Sequence, residues 1–248
     1  MNKHVIIIFV GCIFFTTANA GLINSVNSPF DSVYIRALDY YDESEDSSTI
    51  VEITYPKLFG LQNRSVEDRI NTFFEEEFFK SLEFFEEFVT MLDSFPTIEY
   101  EYGMYFSFET GFDIKLMNES FLSIVLNHYE FTGGAHGNFY SVGYTIDLKS
   151  GNLLTLEDIL HPNSMDEIIS LCEEKILEAY AAETLTDAGL FEDNLELNFE
   201  QDFFVINDAL VIQFDPYEIA PFSMGNIEII LPLKEIENHI MLTELIQN

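Results

Sequence analysis

The chain reads as an α+β protein in which antiparallel sheets, made of meanders and hairpins, are covered by two main helices. Three observations predict it. Strand-like runs, alternating or continuously apolar, recur at Ser32 to Tyr41, Thr49 to Tyr55, Phe121 to Phe131, Phe139 to Leu148, Ala209 to Phe214 and Asn226 to Leu231. Two stretches carry apolar residues at three- and four-residue spacing instead, after Asn63 and after Asn163. The order strands, helix, strands, helix, strands then keeps the helices apart as covering layers. The chain has 248 residues and is 48% hydrophobic, enough to bury a real core.

Taken in order, the first two runs flank the acidic turn 42–48 and predict a hairpin, closed by Pro56 to Leu61. The long helix is capped by Asn63 or Ser65 and runs to about Asp93, ahead of Pro96. Ile70, Phe74, Phe78, Leu82, Phe85, Val89 and Leu92 form its apolar arc. Arg69, Thr72, Glu76, Lys80, Glu83 and Glu87 form its polar stripe. Phe73, Phe79 and Phe84 fall outside the arc, so a second element covers them or they face a partner. Ile98 to Phe108 and Gly111 to Leu116 read as separate strands. They precede a meander from Phe121 to Leu148 and a tight turn at Lys149 to Asn152. Thr155 suits the cap of a short helix. The second main helix, from Ser164 to about Ala182, has Cys172 on its apolar side, as a small buried hydrophobe. Glu183 to Glu200 is acidic and weakly patterned. Phe203 to Ile206 pairs with Ala209 to Phe214 across Asn207-Asp208, and Pro232 opens a final short helix, Leu233 to Ile240. A boundary at 148/149 divides the mature chain into two halves, 21–148 and 149–248, each a helix followed by a meander.

Charge and the N-terminus restrict function. With 44 acidic residues against 10 basic ones the net charge is −34, which repels nucleic acid and anionic membranes and attracts cationic proteins. Lys3 and His4, the apolar run Val5 to Phe15 and the small residues Ala18 and Ala20 read as a secretory signal peptide over 1–20, cleaved before Gly21. Lipidation at Cys12 ranks second. No later stretch has the roughly 20 apolar residues of a spanning helix. The expected locations are therefore the periplasm or the medium.

Chemistry is sparsely signed. There is no Gly-x-Ser-x-Gly elbow, zinc helix, phosphate loop or dinucleotide fingerprint, so neither cofactor nor metal is expected. The conspicuous stretch is Thr132-Gly133-Gly134-Ala135-His136-Gly137-Asn138, a glycine-shaped loop between two strands. His136 could ligate a metal together with His128 across the hairpin, could act as a base, or could simply hydrogen-bond the turn. The second candidate is the proline-bounded corner Asp215-Pro216-Tyr217-Glu218-Ile219-Ala220-Pro221.

Tyr129 to Gly137 resembles the Thr-Gly-Gly-Ala-His-Gly motif of a bacterial exported domain family without an assigned general function. Phe214 to Pro221, followed by Gly225 and Ile227 to Pro232, is similar to that family's closing Tyr-Glu-Ile-Ala-Pro corner and last strand. The family occurs in the extracytoplasmic region of RsiV-type, lysozyme-sensing anti-sigma factors and ahead of the catalytic domain in some peptidoglycan deacetylases. The resemblance covers Val33 to Ile240. It implies a stand-alone, non-catalytic envelope module that binds a lysozyme-like protein or peptidoglycan. Thr132, Gly133, Gly134, His136, Gly137, Asn138, Asp215, Tyr217 and Glu218 are its candidate contact residues. Two other readings stand beside it: a cell-wall glycan hydrolase using His136, and a secreted interaction protein using the Phe-rich helix.

Overall fold

The computed structural model describes residues 33–45, 47–93 and 105–242, with the last two residues of the first long helix described by backbone alone. The signal-peptide and Cys12 readings, Ser32 at the start of the first strand-like run and residues 98–104 of the strand read from Ile98 lie outside them.

Six strands form the first sheet in simple sequence order: β1 (Tyr34–Glu43), β2 (Thr49–Phe59), β3 (Phe106–Met117), β4 (Phe121–Phe131), β5 (Asn138–Asp147) and β6 (Leu153–Leu154). Neighbours are antiparallel except β2 and β3, which run parallel because α1 (Arg64–Asp93) crosses over between them. The second sheet is the antiparallel meander β7 (Phe203–Ile206), β8 (Ala209–Phe214) and β9 (Ile227–Pro232). It follows a one-turn helix α2 (Leu156–Ile159) and the second long helix α3 (Met165–Tyr180). The expected α+β class is what the chain adopts.

Side-chain alternation stacks these elements in layers. On β4, Leu122, Ile124 and Leu126 point to α1, where they meet Ile70, Phe74, Phe78, Leu82 and Phe85. Val125, on the opposite face, packs with Phe204 and Val211 of the second sheet. That sheet turns Phe203, Val205, Leu210, Ile212, Phe214 and Ile229 the other way, onto Ile168, Cys172 and Ile176 of α3. The sequence is thus helix, sheet, sheet, helix, and β4 is buried on both faces from Phe121 to Leu126 because both are covered. All six residues of the expected polar stripe of α1 are exposed. Phe73 meets Tyr144, and Phe79 meets Tyr40 and Tyr55, so the sheet covers both. Phe84 stays 69% exposed.

Three expectations are corrected. Pro56 does not close the first hairpin, since β2 continues through it to Phe59. Its pairing with β3 ends at Ile53, so proline's missing N–H falls on an edge that no described strand uses. Farther along that edge, Asn71 of α1 receives the Leu58 N–H at 2.7 Å and donates to the Leu58 carbonyl at 2.8 Å. Gly111 does not start a separate strand: β3 is continuous, and a bulge between Ile114 and Leu116 absorbs the irregularity. Pro232 does not begin a helix. It ends β9, paired with Ala209. The tail then makes only a 3₁₀ turn at Glu237–His239, because His161 N–H bonds the His239 carbonyl and Leu160 bridges Ile240. The segment 183–200 remains irregular but is not surface loop alone, since Leu185, Ala188, Leu190 and Leu195 are core residues.

The sheets approach closely at one glycine. A Cβ on Gly143 of β5 would sit 2.4 Å from the backbone oxygen of Phe203. That oxygen belongs to a paired strand and cannot rotate away. Gly143→Ala is therefore expected to destabilise the fold by about 1–3 kcal/mol, the usual cost of overpacking. Urea unfolding of the variant beside wild type checks this; unchanged stability would mean that the sheets are not in backbone contact there.

Candidate functional site

The glycine loop and the proline corner, about eighty residues apart in sequence, meet. The loop leaves β4 at Phe131 and enters β5 at Asn138. Gly133 and Gly134 have φ of 92° and 98°, in the left-handed region that explains both glycines. Gly137 is needed for space, because a Cβ there would lie 2.4 Å from the Tyr129 ring. His136 is exposed, with its Nδ1 2.8 Å from the Gly137 carbonyl. Its ring stacks on Phe222 with centroids 4.3 Å apart. Phe222 follows the corner directly, and it also packs against Phe139 at 5.3 Å and Tyr217 at 5.7 Å. Tyr217 is 57% exposed and sits at φ 71°, a strained setting for a non-glycine residue, with its N–H donated to Ala220 O at 2.9 Å. His136, Phe139, Tyr217 and Phe222 thus form one aromatic patch.

Beneath the patch lies a polar joint. β6 pairs with β5 only at Thr145 and Ile146, which leaves the earlier part of the β5 edge without a strand among the described residues. Side chains from around the second sheet take its place. Ser141 N–H donates to Asp215 Oδ1 at 3.0 Å, Gln213 Nε2 donates to the Ser141 carbonyl, and Gly143 N–H donates to Asp202. Glu218 Oε2 accepts the Asp215 N–H at 2.9 Å, and Glu218 Oε1 accepts from Gln201 Nε2 at 2.9 Å. Asn226 Nδ2 and Asn127 Oδ1 hold the Ser141 hydroxyl between them, at 3.1 Å and 2.9 Å. Burial, together with the Asp202 and Glu218 charges, pushes the Asp215 carboxyl up to about 7; the Ser141 amide only partly offsets this. Asp202 is raised to about 6, by burial first and then by Glu218.

The candidate residues therefore divide. His136, Tyr217 and Glu218 are exposed, and Asn138 is exposed opposite Glu130 at the start of β5. Thr132 is half-buried, while Gly133, Gly134 and Gly137 shape the loop. Asp215 faces the joint. Phe222, Ser141, Gln213, Gln201, Asn226 and Asp202 were not singled out from sequence. Phe222 was findable as the aromatic residue after Pro221; the others carry no sequence signal.

His128 and His136 engage different partners. His128 is buried on β4, stacked on Tyr140 at 4.5 Å and flanked by Phe78 and Phe108. Burial lowers its imidazole to about 4. Among the described residues no group of three or more His, Cys, Asp or Glu side chains is placed to hold a metal. Cys172 is buried and its thiol is pushed up to about 12, so it packs as a small hydrophobe.

Two family models match the chain, one described as Deacetylase PdaC over residues 43–139 and one as a protein of unknown function, DUF3298, over 157–234. The loop closes the first region and the corner lies in the second. The chain is 29% identical over 215 residues to the anti-sigma-V factor RsiV of Bacillus subtilis, covering 82% of this chain and 70% of that protein. A solved DUF3298-family structure from Bacteroides fragilis has a TM-score of 0.72 at 16% identity, covering 86% of this chain and 96% of the other. Another, from Pseudomonas aeruginosa PAO1, has a TM-score of 0.61 at 18% identity, covering 85% and 94%. These two likenesses concern the fold.

His128 makes acid stability testable. The unfolded imidazole binds a proton below its ordinary value of 6.5, whereas the folded one resists to about 4. Between those values the unfolded state holds more protons, so this group's destabilisation grows as pH falls from about 6.5 to 4. His128→Phe is expected to flatten that part of the stability–pH curve, measured by urea melts at pH 4.5 and 7. An unchanged slope would show that His128 is charged or solvated in the fold.

Proposed function

We infer that this chain, which carries a PdaC-type region and a DUF3298 region, is an exported, non-catalytic binding module of the cell envelope. Its partner is a cationic protein of the lysozyme type, with peptidoglycan as the second candidate ligand. The observation that carries the reading is the joining of the two family-like motifs into one partly exposed aromatic patch, His136, Phe139, Tyr217 and Phe222. Amphipathic rings on a rigid frame give large contact area at low entropic cost, and such residues anchor interfaces. The rings stand on a chain of net charge −34, which steers a basic partner toward it and speeds association. Likeness to an anti-sigma factor agrees with a role in recognition. Peptidoglycan keeps its place because aromatic faces also suit sugar rings.

The alternative of a hydrolase using His136 has less support. The imidazole is stacked on Phe222 with Nδ1 on the Gly137 carbonyl, and Asp215, beneath the patch, is engaged by a backbone amide. The family model named for a deacetylase is the observation that keeps an enzymatic reading in view. The exposed Phe84 offers the Phe-rich helix a smaller surface.

Titration calorimetry against a lysozyme, at low salt and at roughly 0.5 M salt where exposed attraction is screened, tests the proposal. Defined stoichiometry that survives the higher salt, with affinity lost by about tenfold or more in a folded Tyr217→Ala or His136→Ala variant, is expected. Binding that vanishes with salt, or is indifferent to both substitutions, would remove the patch from any protein interface. Binding to purified peptidoglycan alone would move the assignment to the glycan.

A further inference from the structure

The joint between the sheets is rich in hydrogen-bond acceptors. Asp202, Asp215 and Glu218 bring three carboxyl groups to the edge of β5. At the same joint two side-chain oxygens, Gln213 Oε1 and Asn226 Oδ1, are buried and accept no hydrogen bond from the described residues, although the amide nitrogens of both residues are bonded to Ser141, the residue whose N–H Asp215 accepts. Gln213 is fully buried. A buried acceptor without a donor costs free energy, and so does a crowd of carboxylates without a cation. An added proton relieves the crowding, because a protonated carboxyl loses its charge, and it brings a donor to a joint that is short of donors.

Among the described residues, the charged groups acting on Asp202 and Asp215 are carboxylates. Asp215 is acted on by Asp202 and Glu218, and in turn acts on Tyr140 of β5. Asp202 is acted on by Glu218 and acts on Tyr144 of β5, whose hydroxyl donates to Glu77 of α1 at 2.8 Å. From the loop, the titratable group is His136, itself part of the patch and stacked on Phe222.

We propose that protonation of Asp202 and Asp215, whose carboxyls take the Gly143 and Ser141 amides of β5, locks the glycine loop to the proline corner, so that the aromatic patch is assembled in mildly acidic surroundings and loosens above neutrality. The connection is direct. Ser141, which Asp215 and Gln213 grip, lies three residues after Asn138, where the loop ends, and Asp215 is the first residue of the corner. The raised carboxyls give the sign: a group whose folded value exceeds its unfolded one stabilises most at low pH. Its contribution is lost as pH rises from about 4 through the folded values near 6 and 7. This slope is opposite to that of His128. The proposal concerns the joint alone and does not depend on what the patch binds.

Amide hydrogen exchange on the whole chain tests it, at pH 5.5 and 8.5 and corrected for intrinsic chemistry. Protection over 132–141 and 215–222 is expected to fall by about tenfold or more at the higher pH while the β3–β4 ladder keeps its protection. In Asp215→Asn, which retains an oxygen for the Ser141 amide, the fall should shrink below about twofold; Asp202→Asn, a second variant, should reduce it as well. His136→Ala should leave it in place. Flat protection in wild type, or an equal fall in both Asn variants, overturns the proposal. Loss of the fall in His136→Ala alone would assign the response to the imidazole and overturn it too.

Discussion

The structure depends on how the free edge of β5 is finished. A strand edge must satisfy its N–H and C=O groups, and open edges invite pairing with other chains. Here β6 covers only Thr145 and Ile146. The remaining edge is completed by Asp215, Gln213 and Asp202, side chains that flank or belong to the second sheet. Ser123 of β4 makes a parallel connection by accepting the Val205 N–H at 2.8 Å. Two meanders that could each stand behind their own helix are thereby tied together by polar groups as well as by the small apolar contact of Val125, Phe204 and Val211. Gly143 permits the approach, and the loop and the corner are brought side by side as a consequence.

Much of this was legible in the chain. The arc Ile70, Phe74, Phe78, Leu82 and Phe85 announced the buried side of α1, and the apolar runs Phe203 to Ile206 and Ala209 to Phe214, broken at Asn207-Asp208, announced a hairpin. The first signal is the period left by burial of one face, and the second is the continuous apolarity of strands covered on both. The failures have a different origin. β2 runs through Pro56 because the next strand stops pairing at Ile53, a tertiary fact. The chain after Pro232 stays unhelical because His161 and Leu160 pull it toward α2. The buried Leu185, Leu190 and Leu195 recur every five residues, a spacing that belongs to neither helix nor strand, so it signalled no element.

The site was legible as two separate motifs and not as one place. Gly133, Gly134 and His136 stood out by composition, and Tyr217 and Glu218 stood out through a family resemblance. Nothing local tied them together, because the bonds that join them run from Ser141 to Asp215 and Gln213. Asp202 could not be distinguished among 44 acidic residues by spacing. Its environment separates it: partial burial beside two other carboxyls. The same joint explains why a chain so acidic concentrates its most perturbed carboxyls at a seam rather than on its surface.

The central claim is that loop and corner form one energetic unit. A double-mutant cycle of His136→Ala and Phe222→Ala, read by equilibrium unfolding, tests it most directly. Stacked rings with centroids 4.3 Å apart should couple by about 0.5–1.5 kcal/mol. Additivity to within about 0.3 kcal/mol would mean that the two motifs are neighbours without being joined.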